Sequence, residues 1–276
     1  MTNANGTTST QAKGSAAKQG ELWSAHPKDW AEIQERTEVP LYLAAFDAAR
    51  VGLGTRFLDA GCGGGTAALF AAQRGAVVSG LDAAPGLIDV ARVRVPEGDF
   101  RVGDLEELPY LDASFDVGFA CNSLQYAADP RAAVRELARV TKPGGAVVAG
   151  MWGRPEDQDF HVAMGAVRAL MPKTPPPTFD LARPGALEEA FEAAGLRVSG
   201  GGEVPGPFVY LDEETLWRSQ RGSGPFVSAV RALGEEKVRR TLADASERFR
   251  DAKTGAYRFH NTFRFVIARR ASPRTA

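Results

Sequence analysis

Asp59, Asp82, Asp104 and Asn122 each stand at or just past the end of a short apolar run: Phe57-Leu58, Ala76 to Leu81, Phe100 to Val102, and Val117 to Cys121. Open α/β sheets bind ligands beyond the carboxyl ends of their strands, so polar side chains at that place on several strands converge on one edge. Asp59 is followed by Gly61-Cys62-Gly63-Gly64-Gly65, a loop whose glycines let the backbone approach a ligand closely. Such a loop also serves as a plain structural turn. Asp82 lies 21 positions after Gly61 and offers two acceptor oxygens to the two hydroxyls of a ribose. Asp104 is also placed to cap a helix from Leu105 onward. Proton transfer near neutral pH would fall to His26, His161 or His260. His161 follows the fifth strand, where a pocket should open, and is the candidate catalytic base, although a lone histidine is more often structural. His260 shares a strand face with Arg258 and Arg264, which suits a solvated role. No His, Cys, Asp and Glu cluster has metal-ligand spacing, so no metal is expected.

The elements that must position these groups can be read along the chain. Residues 1–20 are mostly small and polar and are expected to form a disordered tail. Residues 21–50 have helical periodicity interrupted at Pro40 and should form two cap helices outside the sheet. Their aromatics, Trp23, Trp30 and Tyr42, either wall a pocket or pack the helices onto the domain. The glycine loop leads into a helix over 66–74, stopped by Gly75. Asp129-Pro130 opens a helix whose apolar face is Val134, Leu137 and Val140. A turn at Lys142-Pro143-Gly144-Gly145 precedes the fifth strand, and Leu196-Arg197-Val198 begins the sixth. A proline-rich loop covers 172–177. A final strand over 257–268 alternates apolar and polar residues with period two. Between the last two strands, 205–254 reads as helices over 212–220, 225–233 and 235–249. This insertion is expected to be a lid over the substrate, with Phe208, Tyr210, Trp217 and Phe226 as an apolar substrate wall; a dimer interface would use the same residues. The whole of 21–276 reads as one α/β domain.

Asp59-Ala60-Gly61-Cys62-Gly63-Gly64-Gly65 resembles the D-x-G-C-G-x-G motif of class I S-adenosylmethionine-dependent methyltransferases. Leu108-Pro109-Tyr110-Leu111-Asp112-Ala113-Ser114-Phe115-Asp116 resembles the segment that precedes the fourth strand in that family, and the likeness runs from Phe57 to Trp152. It implies a doubly wound, Rossmann-like seven-stranded sheet, mostly parallel, with an antiparallel seventh strand inserted between the fifth and sixth. It also implies S-adenosyl-L-methionine as cofactor. Asp59, Gly61, Gly63 and Asn122 would meet its methionine end, and Asp82 with Ala83 its ribose. Asp104 would accept from the adenine amine while the Leu105 N–H donates to the ring. The N-terminal helices would close over the cofactor. Asn122-Ser123-Leu124 departs from the Asn-Pro-Pro sequence of family members that methylate base amines or glutamine side chains, which argues against that branch. The expected activity is in-line methyl transfer to oxygen, nitrogen or carbon of a small molecule, such as a bacterial secondary metabolite. Alternatives are C-methylation in a quinone pathway, or a methyltransferase-like cofactor-binding protein or cyclase. Thr66 stands where a dinucleotide G-x-G-x-x-G loop needs glycine, which weakens an NAD reading.

Composition bounds the partners. With 33 Lys plus Arg against 34 Asp plus Glu the net charge is −1, so no global field favours nucleic acid or an anionic membrane. The apolar runs are too short to span a bilayer, and the N-terminus lacks a basic start and an apolar signal region, so a cytoplasmic protein is expected. Cys62 and Cys121 are expected as free thiols beside the cofactor. A homo-oligomer stays open.

Overall fold

The apolar runs close into a sheet in a computed structural model that describes residues 14–173, 180–181 and 183–272. The strands are β1 (Arg56–Ala60), β2 (Val77–Asp82), β3 (Asp99–Val102), β4 (Phe115–Cys121), β5 (Thr141–Trp152), β6 (Leu196–Pro205), β7 (Phe208–Tyr210), β8 (Tyr257–Phe259) and β9 (Thr262–Arg270). Seven of them form one sheet in the order β3-β2-β1-β4-β5-β9-β6, and β7 pairs with β8 apart from it. β1 is parallel to both β2 and β4, with Asp59 opposite Gly80 on one side and Phe119 on the other. β9 runs antiparallel to both β5 and β6, as the family resemblance implies. Strand order reverses between β1 and β4, and a crevice opens there beyond the strand ends.

Side chains alternate across a strand, so each strand feeds both faces of the sheet. Phe57, Val148, Phe265 and Ile267 enter one buried cluster, while their neighbours Leu58, Val147, Val266 and Ala268 enter the other. On the first face lie α3 (Val39–Ala49), α4 (Thr66–Gln73), α5 (Pro85–Arg94) and α7 (Phe160–Ala169), with α1 (Ala16–Trp23) and α2 (Pro27–Asp29) packed against α5. The second face is covered by α6 (Pro130–Val140) and α8 (Ala186–Ala193). Phe46 of α3 meets Phe57 and Phe119 edge-on at ring separations of 5.3 Å. Truncating one such fully buried ring costs about 3–5 kcal/mol. The Asp129 carboxylate accepts the Arg131 N–H at 3.0 Å and caps α6, with Pro130 in its first turn.

Between α2 and α3 the chain stays helical but changes pitch, through a π turn, Trp30–Gln34, and a 3-10 turn, Glu35–Glu38. Pro40 sits in the first turn of α3, where its missing N–H leaves no helical bond unmade. The remaining helices, α9 (Glu213–Arg221), α10 (Gly224–Leu233) and α11 (Glu235–Ser246), match the expected insertion.

Four expectations need correction. The tail expected over 1–20 is helical from Ala16. The Ala16 N–H donates to the Asp104 carboxylate and Gly20 and Leu22 are buried, so tertiary contact offsets the ordering entropy; residues 1–13 lie outside the described ones. The strand expected over 257–268 is broken at His260-Asn261. Asn261 is buried there, and its Oδ1 accepts the Phe160 N–H, which sends β8 and β9 to different sheets. Phe208, Tyr210, Trp217 and Phe226 are no substrate wall: all four are buried, and the first three pack among other side chains with at most 2% exposure. The inserted helices brace the N-terminal cap instead, with Arg218 and Arg221 gripping the buried Asp29 carboxylate at 2.7 and 2.6 Å. The fifth strand begins at Thr141, five residues before the expected start at Ala146. Residues 174–177 of the proline-rich loop lie outside the described residues. His260 is solvent-exposed, with Nδ1 3.2 Å from Asp159.

Candidate functional site

A cleft of about 750 Å³, counting its open mouth, lies past the ends of β1, β2 and β4 under the N-terminal helices. Its floor is the glycine loop. Gly61 and Gly63 have φ of 82° and 53°, in the left-handed region. A side chain at Gly61 would also collide with Ser123, and one at Gly63 with the Glu35 carboxyl. The N–H groups of Gly61 and Cys62 both donate to the Leu81 carbonyl, at 2.7 and 3.0 Å, which fastens the loop to β2. Ser123 Oγ donates to the Ala60 carbonyl at 2.8 Å and fastens β4 to the same turn.

Asp82 anchors one end of the cleft. Its Oδ2 accepts the Gly63 N–H and its Oδ1 the Ala84 N–H, each at 2.9 Å. Each carboxylate oxygen has two lone pairs, so one acceptor site per oxygen is left for a ligand. Burial raises its pKa while these backbone bonds oppose the rise. Asp104 is similarly engaged: Oδ1 accepts the Glu106 N–H at 2.9 Å and Oδ2 the Ala16 N–H at 3.1 Å. It therefore turns its own backbone and also ties down the start of α1. Ala83 and Leu105 line the same end.

The opposite end is less settled. Asp59 is buried and its Oδ2 has no hydrogen-bond partner among the described residues. Burial, with Glu35 and Asp82 nearby, pushes its carboxyl well above the usual range. Asn122 holds a left-handed φ of 47°, and neither Nδ2 nor Oδ1 has a partner among the described residues. A non-glycine residue in that region stores strain, and an unpaired buried amide costs about 1–3 kcal/mol. Cys62 and Cys121 are free, buried thiols that line the cleft, and burial pushes both well up.

The cap supplies the rest. Trp23 meets Trp30 edge-on at 4.6 Å and Tyr126 at 5.3 Å, and all three rings border the cleft, as does Tyr42. Arg94, at the end of α5, reaches back into the cap. Its Nη1 donates to Glu35 Oε2 at 2.6 Å, to Thr66 Oγ1 at 2.7 Å and to the Gly64 carbonyl at 2.8 Å, while Nη2 donates to the Ala31 carbonyl at 2.6 Å. One guanidinium thus ties cap to glycine loop. Burial raises the Glu35 pKa against the pull of Arg94 and Thr66. Glu38, one turn on, accepts the Tyr42 hydroxyl at 2.8 Å. Burial pushes its carboxyl up to about 7, opposed by Tyr42 and the nearby Asn122 amide.

All the residues expected to bind a cofactor, Asp59, Gly61, Gly63, Asp82, Ala83, Asp104, Leu105 and Asn122, line this one cleft. His161 does not. It lines a second cavity with Gln125, Trp152, Met164 and Arg168, and Tyr126 borders both spaces. The imidazole lies 5.8 Å from the Trp152 ring and its pKa is lowered by burial. Glu35, Glu38, Arg94 and Tyr126 were not singled out from the sequence. A charged residue in a helical run reads as a solvated face, and no spacing marks these as buried. Among the described residues no group of three or more His, Cys, Asp or Glu is placed to hold a metal ion, and no helix is long and apolar enough to cross a membrane.

Comparison with known proteins adds to this geometry. The methyltransferase domain family matches residues 58–149. The malonyl-[acyl-carrier protein] O-methyltransferase of Serratia marcescens is 38% identical over 148 residues, 54% of this chain and 55% of that protein. The ubiquinone biosynthesis O-methyltransferase of Xanthomonas axonopodis pv. citri is 33% identical over 166 residues, 58% of this chain and 70% of that protein. The chain therefore spans about half the length of the first and over two thirds of the second. The geranyl diphosphate C-methyltransferase of Streptomyces coelicolor, solved with magnesium, geranyl diphosphate and S-adenosyl-L-homocysteine, shares the fold. It superposes with a TM-score of 0.56 at 14% identity, over 93% of this chain and 98% of that one.

Proposed function

This chain belongs to the class I S-adenosylmethionine-dependent methyltransferases, and from that premise we propose that it methylates a small-molecule acceptor held beside the cofactor cleft. The observation that carries this reading is the asymmetry of the cleft: carboxylates held by backbone N–H groups at one end, and the unpartnered Asp59 Oδ2 and Asn122 amide at the other. A nucleoside with a charged amino-acid tail fits that pattern. Asp82, flanked by Ala83, holds the ribose hydroxyls; the Asp104 carboxylate and Leu105 N–H hold adenine; Asp59, Asn122, Gly61 and Gly63 receive the methionine end. When bound, S-adenosylmethionine supplies an electrophilic methyl group on a sulfonium.

The protein's part is alignment and exclusion of water. The Trp23, Trp30 and Tyr126 rings close the cleft, and Tyr126 stands where cleft and second cavity meet. The body of the acceptor occupies that cavity, against Met151, Trp152 and Met164, and its reacting atom reaches past Tyr126 into the cofactor cleft, where the methyl group is held. His161 contacts the body of the acceptor there, away from the reacting atom. A secondary metabolite is the first acceptor class; a quinone precursor is the second, supported by the ubiquinone-biosynthesis relative.

Calorimetric titration of the purified protein with S-adenosylmethionine and with NAD, repeated on Asp82→Ala, tests the cofactor half. Saturable binding of the sulfonium compound, strongly weakened in the variant, is expected. NAD binding alone would defeat the reading. Tight cofactor binding with no product from any metabolite or quinone precursor would favour a cofactor-binding protein or cyclase.

A further inference from the structure

We propose that Glu38, set in the cap beside Tyr42 and Asn122, is the group that receives the acceptor's proton. The inference rests on the methyltransferase reading above and adds the proton acceptor to it. Glu38 closes the 3-10 turn at the base of α3, and its carboxyl borders the cofactor cleft at 5% residue exposure. Tyr42, one helical turn later, donates its hydroxyl to Oε2 and fixes the carboxyl's orientation. The Asn122 side-chain amide, on a strained backbone, lies close enough to the Glu38 carboxyl to favour its ionised form.

Comparison with Glu35 separates the two acids. Glu35 has the same burial but is committed: Arg94 and Thr66 both donate to its Oε2. Among the described residues no cation pairs with Glu38. The titratable groups facing it are Glu35 on its own turn, Asp59 on β1, Cys121 on β4, Tyr42 on α3 and Tyr126 past β4. All of these are neutral or negative. A carboxyl in that setting exchanges its proton near neutral pH, and a cation arriving in the cleft draws it to the ionised form. His161, across Tyr126 in the second cavity, does not border the cofactor cleft.

The step balances as follows. The acceptor atom forms a bond to the methyl carbon as the carbon–sulfur bond breaks and its electron pair passes to sulfur. The proton on the acceptor atom moves to the Glu38 carboxylate. Methylated acceptor, neutral thioether and protonated Glu38 result, and the carboxyl returns its proton to solvent before the next turnover.

Calorimetry at pH 7 in buffers of different ionisation enthalpy counts protons released on binding. About half a proton is expected to leave per S-adenosylmethionine bound, from a carboxyl half-protonated at that pH, and less for S-adenosylhomocysteine, which lacks the sulfonium charge. Glu38→Gln, which preserves shape, should abolish most of the release and lower turnover at saturating cofactor about 100-fold. Tyr42→Phe removes the bond that favours the carboxylate and should move the midpoint of the release to higher pH. His161→Ala should leave both the release and its midpoint unchanged. Binding with undiminished release in Glu38→Gln would overturn the inference and leave the cofactor assignment standing; release lost instead in Asp59→Asn would give the proton to Asp59. Failure of the wild-type protein to bind S-adenosylmethionine would sink both readings.

Discussion

The two ends of the cofactor cleft are built on opposite plans. At the Asp82 and Asp104 end every carboxylate oxygen already accepts a backbone N–H, so the geometry is set before a ligand arrives. At the Asp59, Asn122 and Glu38 end the polar atoms are buried and partly unpartnered, and the two carboxyls lie above their ordinary pKa. The first plan gives recognition at little reorganisation cost. The second keeps reactive groups uncommitted until the ligand supplies their partners. Stability is therefore stored at one end and spent at the other.

The most disruptive way to break this contrast is at the clamp that holds the uncommitted end in place. Arg94→Ala removes four hydrogen bonds and leaves Glu35 buried without its cation. A loss of about 3–5 kcal/mol in denaturant unfolding is expected. A change below about 1 kcal/mol would mean that cap and loop are not coupled through this guanidinium.

A second test separates the ends by pH. Glu38 has a folded pKa raised to about 7 from 4.5, so its contribution is fully present below 4.5 and is lost as pH rises through 7. Protonated in the fold and ionised when unfolded, it makes the wild type lose up to about 3 kcal/mol across that window. Glu38→Gln should lack this component, so the variant gains on the wild type from pH 5 to pH 8. Parallel stability curves for the two proteins would refute the assignment.

At the preorganised end, Asp82→Ala removes the acceptor of both the Gly63 and Ala84 N–H groups along with the proposed ribose contact. Cofactor affinity should fall about 100-fold, or about 3 kcal/mol. If titration gave less than a fivefold loss, the recognition role would move elsewhere. The smallest effect is expected at the hinge between the ends. Ser123→Ala removes one buried hydrogen bond to Ala60 and should cost about 1 kcal/mol in thermal unfolding, with cofactor affinity within about threefold.

The same division governs what the sequence discloses. Asp59, Asp82, Asp104 and Asn122 were legible because each follows a short apolar strand, and strand ends in an α/β sheet have one side on which to present a group. The antiparallel β9 was legible by resemblance and by its period-two pattern. Glu35, Glu38 and Arg94 were not. Their positions depend on α1 to α3 folding over the cleft, a tertiary outcome that no local spacing encodes. The Ala16 contact with Asp104 links residues 88 apart, and this long-range bond is what turned an expected tail into a helix. The aromatic residues of the insertion misled for the complementary reason: a ring in an inserted segment is equally suited to a pocket wall and to a core, and here Tyr210, on β7, bonds Gln34 and packs inward.

The insertion of β9 between β5 and β6 also bears on how the protein is made. β5 and β6 are synthesised before β9, yet neither can pair with the other across the gap that β9 fills. A nascent chain halted before Thr262 presents two long, unpaired strand edges, one of them from the sheet's apolar centre. The five strands β3-β2-β1-β4-β5 pair without it, but β6 joins the sheet only once residues 262–270 are available. Until then the edges of β5 and β6 are the surfaces a chaperone would have to shield.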